Sequence, residues 1–129
     1  MQKLFLTIAS LLGGLAVTFG AFGAHYLKRF YSPDELAVFE TGVRYQMYHV
    51  FALFVSAWAI GYFQHSLFTY SAWAFFLGTV LFSGSLYILT ISNIRSVGMI
   101  TPIGGLVLIL GWVLLLLGFW NTTSLSYSN

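Results

Sequence analysis

The chain has 129 residues, of which 59% are hydrophobic and only 6% are charged, whereas an ordinary soluble domain carries roughly 25% charged residues. Three acidic and five basic residues cannot cover the surface of a soluble fold, so the composition predicts one integral membrane domain over residues 1–129. A net charge of +2 without a basic run excludes nucleic-acid binding, and the absence of cysteine excludes disulfides, thiol catalysis and thiolate metal sites.

Four apolar segments predict an all-α membrane protein, a four-transmembrane-helix bundle. In chain order they cover residues 4–24, 43–63, 71–91 and 102–120. Each is close to the roughly 20 residues that a helix needs to cross a hydrocarbon core of about 30 Å. The first segment is longer than the apolar region of a typical signal peptide, so we interpret it as a retained helix.

The connection between the first two segments carries a helix-start signal. Ser32 is suited to the N-cap, Pro33 to the first helical position, and Glu35 completes a capping box. Leu36 and Phe39 then follow at helical spacing. This pattern predicts a short amphipathic helix that lies at the membrane interface between the first and second spans.

Basic residues predict the orientation in the membrane. Lys28, Arg29, Arg44 and Arg95 all belong to the first and third connections, whereas the opposite side has only Lys3. The positive-inside rule therefore places these two connections in the bacterial cytoplasm and both termini outside. The predicted location is the cytoplasmic (inner) membrane, with the lipid bilayer as the first partner.

Small residues recur at regular spacing on two of the predicted helices. Gly104, Gly111 and Gly118 repeat every seven residues, and an Ala16–Gly20–Ala24 ladder follows Gly13 on the first helix. Such stripes allow close approach of helix backbones in a membrane. They predict packing inside a compact bundle, with a lipid or cofactor lying against the glycines as the alternative. Packing between copies, in a homo-oligomer or a larger membrane complex, also stays open.

Polar side chains gather where the first and third spans end and the second and fourth begin. The apolar opposite half is expected to be plain lipid-matched scaffold. His49 lies six residues past Val43, or about 9 Å along the helix axis, so it should face the bundle interior with partners. Among the polar residues, Glu40 and Arg44 are spaced i,i+4 in the favourable acid-first order. The candidate ligand or polar-network residues are His25, Glu40, Arg44, Tyr45, Gln46, His49, Ser83 and Tyr87.

Three interpretations of this cluster remain open. The first is a hydrogen-bonded knot that fastens the helices, and the second is a binding site for a lipid headgroup, quinone or other small amphiphile. The third is a small proton-coupled transporter, a haem protein or a metal site, in which His25, His49 and Glu40 would be ligands. No cofactor can be named. The familiar catalytic motifs are absent, which favours a protein that is not an enzyme.

Six segments of the chain carry a recognisable pattern, at residues 20–25, 39–42, 45–49, 82–87, 101–105 and 111–112. Together they resemble domain-of-unknown-function family 423, the bacterial YgdD/YwdK type with transmembrane protein 256 as a eukaryotic relative. The resemblance covers nearly the whole chain and implies a small four-helix protein of the bacterial cytoplasmic membrane. It also implies a link to membrane integrity or stress tolerance, without an assigned enzymatic activity. We therefore expect a structural or accessory membrane protein.

Overall fold

The computed structural model describes the backbone of residues 1–126 and the side chains of residues 1–122, and this part of the chain is helical throughout. Short 3-10 turns at Leu27–Arg29 and Arg95–Met99 occupy the first and third connections. Each helix packs against the next one along the chain. The four helices are α1 (Gln2–His25), α2 (Pro33–Phe63), α3 (Ser66–Ser92) and α4 (Ile100–Ser126).

Within the described residues, three helical segments are long and apolar enough to cross a membrane. They are Gln2–Arg29, Ser66–Ser92 and Arg95–Thr122, which correspond to α1, α3 and α4 with their flanking turns. α2 is not among them. Its first half carries four charged side chains, and the polar residues Gln46 and His49 follow within the next turn.

The start of α2 confirms the capping box. The Ser32 hydroxyl accepts a hydrogen bond from the Glu35 amide at 3.3 Å, and the Glu35 carboxylate accepts one from the Ser32 amide at 2.8 Å. The helix then continues without a break to Gln64, whose left-handed backbone (φ 53°) ends it.

The prediction of a separate interfacial helix is therefore wrong. α2 is one helix of 31 residues, because it contains no proline after its first residue, Pro33, and the glycine at position 42 does not interrupt it. Gly42 instead packs beneath the Tyr87 ring. Phe39, which was expected to face the membrane surface, is buried in the bundle.

The glycine repeat of α4 packs against a matching phenylalanine repeat on α3. A Cβ atom added at Gly111 would lie 2.7 Å from the Phe75 ring, and one at Gly118 would lie 2.7 Å from the Phe68 ring. One at Gly104 would meet the Phe82 backbone. Since both repeats have a period of seven residues and the helices are antiparallel neighbours, this interface is a regular, close-packed seam. It confirms the interpretation of the stripe as internal packing.

The contacts of α1 define the depth of each residue of α2. The Gln2 side chain lies against Gly61, Gly13 packs on Val50, Gly20 on Val43, and Gly23 on Phe39. α1 therefore runs beside residues 39–61 of α2, and the middle of this shared length is near Val50. Ala24 is exposed, so the predicted Ala16–Gly20–Ala24 ladder does not extend to its last member.

Candidate functional site

Gln46 connects three helices in the middle of the bundle. Its side chain is only 3% exposed. Nε2 donates a hydrogen bond to the Leu12 carbonyl of α1 at 2.7 Å, and Oε1 accepts one from the Tyr87 hydroxyl of α3 at 2.7 Å. The phenol of Tyr87 packs between Phe19 of α1 and Phe39 of α2, with ring centroids 5.1 and 4.9 Å away. One amide side chain thus ties α1, α2 and α3 together.

His49 lies one turn further along α2 and connects this helix to α4. Nδ1 lies 2.6 Å from the Tyr45 carbonyl, and Nε2 lies 3.1 Å from the indole nitrogen of Trp112. An indole N–H can only donate, so Nε2 accepts and the ring proton sits on Nδ1, where it bonds the carbonyl. The pair of partners therefore fixes one neutral tautomer of His49. The Phe75 ring packs beside both His49 and Trp112.

Serine hydroxyls make further cross-helix hydrogen bonds. Ser83 donates to the Gly42 carbonyl at 2.6 Å, and Ser85 pairs with Thr101 of α4 at 2.6 Å. In the opposite half of the bundle Ser71 donates to the Gly111 carbonyl at 2.9 Å and lies 3.3 Å from the Ser56 hydroxyl. The expectation of a plain apolar scaffold in that half is therefore wrong.

The polar residues are deeper than their sequence positions suggested. α2 begins ten residues before the predicted span, and its contacts with α1 place His49 beside the middle of the shared length. His49 is ten residues from Phe39 and twelve from Gly61, or about 15 and 18 Å along the axis. The network of Gln46 and His49 is thus at mid-depth in the bundle and not at the end where the predicted spans placed it.

Four of the candidate residues have side chains outside this network, and three of them are Glu40, Arg44 and His25. Glu40 and Arg44 form an exposed i,i+4 ion pair at 3.4 Å, in the predicted order. His25 is exposed at the end of α1, nine residues or about two and a half turns beyond the buried Ala16, and therefore on the opposite side of the helix. The proposed ligand set of His25, Glu40 and His49 is not brought together. In the part of the chain that the structure describes, no three His, Asp or Glu residues form a metal-binding group.

Tyr45 belongs to a different feature, an open groove of about 490 Å³ beside the His49–Trp112 pair. Its ring packs on Phe82 of α3, with centroids 4.7 Å apart. We call this feature the α2–α4 groove. Its lining residues are Tyr45, Tyr48, His49, Phe82, Gly105, Leu108, Ile109 and Trp112.

Trp112 is the residue of the network that sequence reasoning missed as a site residue. An indole N–H in the middle of an apolar span needs an acceptor, and this requirement was the available signal. The partner could not be identified from spacing, because it lies 63 residues away on another helix. Tyr48 of the groove was also missed, because only the rotation of α2 shows which side of the helix it faces.

The geometry of these residues supports a role in holding the helices together more directly than a catalytic role. Gln46, His49, Ser83 and Tyr87 use their side-chain groups in hydrogen bonds to one another, to Trp112 and to helix carbonyls. Ser83 donates to a backbone carbonyl, so its hydroxyl is not paired with a histidine base as a catalytic serine would be.

Comparison with known proteins gives one family and a group of similar membrane proteins. The family model described as "Protein of unknown function (DUF423)" matches residues 19–105. UPF0382 membrane protein SH2409 of Staphylococcus haemolyticus is 44% identical over 116 residues, covering 90% of this chain and 94% of the relative. UPF0382 membrane protein YwdK of Bacillus subtilis is 42% identical over 115 residues, covering 88% and 94%. UPF0382 inner membrane protein YgdD of Escherichia coli is 39% identical over 117 residues, covering 91% and 89%. No solved structure matches the chain.

Proposed function

The chain belongs to the DUF423 family of membrane proteins of unknown function, and from this premise we propose that it is a non-enzymatic structural or accessory protein of the bacterial cytoplasmic membrane. It would support membrane integrity or a larger membrane complex. The observation that carries the proposal is the use of the central polar groups, which fasten helices to each other.

We propose that α2 also crosses the bilayer, which gives four spans and places both termini on one side. α2 lies between α1 and α3 along the length that it shares with α1. Its polar side chains Gln46 and His49 are buried among the other helices and do not face lipid. Polar residues inside a membrane bundle take this arrangement, because an unpartnered polar group in hydrocarbon is costly.

The distribution of basic residues supports cytoplasmic placement of the first and third connections. Serine-to-cysteine variants at matched exposed positions test it, since the chain has no native cysteine. In intact cells a membrane-impermeant maleimide should label Ser66→Cys, in the second connection, and leave Ser96→Cys unlabelled until the membrane is opened. Labelling of Ser96→Cys in intact cells would reverse the orientation.

The outward face of α1 is the surface that best suits contact with a second copy or another membrane chain. The glycine stripes named from the sequence are filled by α2 and α3, but a separate stripe of small residues on α1 is exposed. Its hydroxyls bond to carbonyls of their own helix, so a neighbouring helix could approach closely without breaking a cross-helix bond. The stripe consists of Thr7, Ser10, Gly14, Thr18 and Ala21.

Thiol cross-linking in native membranes tests this role. Ser10→Cys and Gly14→Cys should give cross-linked adducts with a copy of the chain or with a partner protein. Leu116→Cys, at an equally exposed position on α4, is the matched control and should remain monomeric. Monomer alone at every protein concentration, or equal cross-linking of all three variants, would contradict the structural role.

A further inference from the structure

The α2–α4 groove has the size and lining of a small-molecule site. Its volume of about 490 Å³ lies within the roughly 300–1,000 Å³ range of ligand pockets. The rings of Tyr45, Tyr48, Phe82 and Trp112 line it, and Gly105 leaves room between them. The groove is open on the outer surface of the bundle, where Ile109 is exposed. A flat ring can therefore enter from the lipid and pack against aromatic walls.

Two polar groups of the groove, the hydroxyls of Tyr45 and Tyr48, are hydrogen-bond donors without an acceptor in the part of the chain that the structure describes. Trp112 and His49 are already bonded to each other, so their nitrogens are taken. Tyr45 and Tyr48 are partly exposed, and no group in the described residues accepts a hydrogen bond from either hydroxyl. Tyr45 is about 9 Å and Tyr48 about 14 Å past Phe39 along the axis of α2, deep in the shared length of the helices. With α2 crossing the bilayer as proposed above, a phenol at this depth is away from bulk water, and leaving it without an acceptor is costly.

The charges of α2 lie beside a different groove. Glu40 and Arg44 line a smaller hollow of about 320 Å³ between α1 and α2, together with Gly20, Gly23 and Val43. Neither residue lines the α2–α4 groove, whose lining contains no acidic or basic side chain other than the neutral His49. An anionic headgroup would find no cation there, so the lining favours an uncharged occupant.

We propose that the α2–α4 groove binds a neutral, lipid-soluble quinone, with its ring between the aromatic side chains and its carbonyl oxygens accepting hydrogen bonds from Tyr45 and Tyr48. The apolar tail leaves through the open side, past Ile109, into the lipid. An acyl chain would fill the same space but leave both phenols without an acceptor. The proposal rests on the proposed span of α2, but it does not depend on the structural role, because it requires neither an oligomer nor a partner protein.

Fluorescence of Trp112 provides the test, since quinones quench a nearby indole. The full chain, with Trp58, Trp73 and Trp120 changed to Phe, is reconstituted in phosphatidylcholine vesicles. It is titrated with a benzoquinone carrying a ten-carbon tail. We expect saturable quenching of Trp112. A reporter that keeps only Trp58, which is exposed on α2 outside the groove, should show only weak, non-saturating quenching.

Two variants connect the quenching to the groove. The double variant Tyr45→Phe/Tyr48→Phe keeps both rings and should raise the quinone concentration at half-saturation about tenfold, as loss of two hydrogen bonds predicts. Tyr62→Phe/Tyr70→Phe, at exposed positions outside the groove, should leave it unchanged. Ile109→Phe narrows the exposed mouth without touching the hydroxyls or adding a second indole, and it should abolish saturation even if the double variant does not fold.

Five results would overturn the proposal. Three concern quenching: non-saturating quenching of Trp112, equal quenching of Trp58, and an unchanged midpoint in a folded Tyr45→Phe/Tyr48→Phe protein. The fourth is displacement of the quinone by phosphatidylglycerol, which would identify the groove as a site for an anionic lipid. The fifth is equal competition by a benzene ring with the same tail, which would show that the tail alone binds and would contradict the role of the hydroxyls.

Discussion

The two outer helices of the bundle are held by different kinds of contact. α4 packs its glycines against three phenylalanines of α3 so closely that an added Cβ at Gly111 would lie 2.7 Å from a ring atom. α1 packs Gly13 and Gly20 against two valines of α2, where an added Cβ would lie at an ordinary 3.4 Å. The α3–α4 seam is thus close-packed at each of these three glycines. The α1–α2 seam is tight only towards its ends, at Gly23 and Gly61, and its middle relies on looser packing and on the hydrogen bond from Gln46 to Leu12.

This difference teaches which substitutions each seam can accept. A seam that depends on shape fails when volume is added, and a seam that depends on a polar contact fails when that contact is removed. The free energy of unfolding in mixed micelles, measured with increasing SDS, gives a common scale for both. Gly111→Leu, Gln46→Leu and Gly13→Ala each act on one of these seams, whereas Trp112→Phe acts on the contact between His49 and α4.

The largest effect is expected from adding volume to the α3–α4 seam. Gly111→Leu should reduce the free energy of unfolding by about 3 kcal/mol, because the new side chain must displace the Phe75 ring and the neighbouring Trp112. Gly84→Ala is the control, since an added Cβ there meets nothing within 4 Å. A Gly111→Leu protein as stable as this control would show that the seam is not close-packed.

The second-largest effect is expected from removing the polar contact that holds α1 to α2. Gln46→Leu keeps the volume but loses the bonds to Leu12 and Tyr87, and should cost about 2 kcal/mol. Because α1 is released first, proteolysis within α1 should accelerate more than proteolysis within α4. Equal acceleration in both helices would contradict the division into two seams.

A smaller effect is expected where His49 meets α4. Trp112→Phe keeps an aromatic ring beside Phe75 but leaves Nε2 of His49 without its donor, at a cost of about 1 kcal/mol. Trp58→Phe, an exposed tryptophan on α2, is the matched control and should change the stability little. An equal loss in the two variants would mean that the hydrogen bond does not stabilise the α4 contact.

The smallest effect is expected from adding a methyl group to the α1 seam. Gly13→Ala should change the free energy of unfolding by less than about 0.5 kcal/mol, since its Cβ makes an ordinary contact with Val50. A loss comparable to that of Gly111→Leu would show that α1 is as tightly packed as α4, and the comparison between the seams would then fail.

Local signals in the sequence predicted much of the fold. The capping box at Ser32 and Glu35 marked the start of α2, and the seven-residue glycine repeat marked the packed face of α4. Both depend on residues close together in the chain, whose physical effect is independent of the rest of the fold. The ion pair of Glu40 and Arg44 was predicted for the same reason.

The candidate site was predicted only in part, because it depends on helix rotation and depth. The pattern placed Gln46, His49, Ser83 and Tyr87 together, but it could not show that His25 faces away from α2. Nor could it show that α2 extends ten residues beyond the apolar segment, which moves His49 to mid-depth. Spacing along one helix contains no information about the rotation of another, so the partner Trp112 was not identified.

The central claim is that the mid-depth polar groups hold the helices together, and a double-mutant cycle on Gln46 and Tyr87 tests it most directly. Gln46→Leu, Tyr87→Phe and the double variant remove the 2.7 Å hydrogen bond from either side and from both. Unfolding in mixed micelles should give a coupling energy of about 1 kcal/mol, within the range measured for hydrogen bonds between membrane helices. Additive losses with no coupling would contradict the claim and would show that the two side chains are buried without fastening α2 to α3.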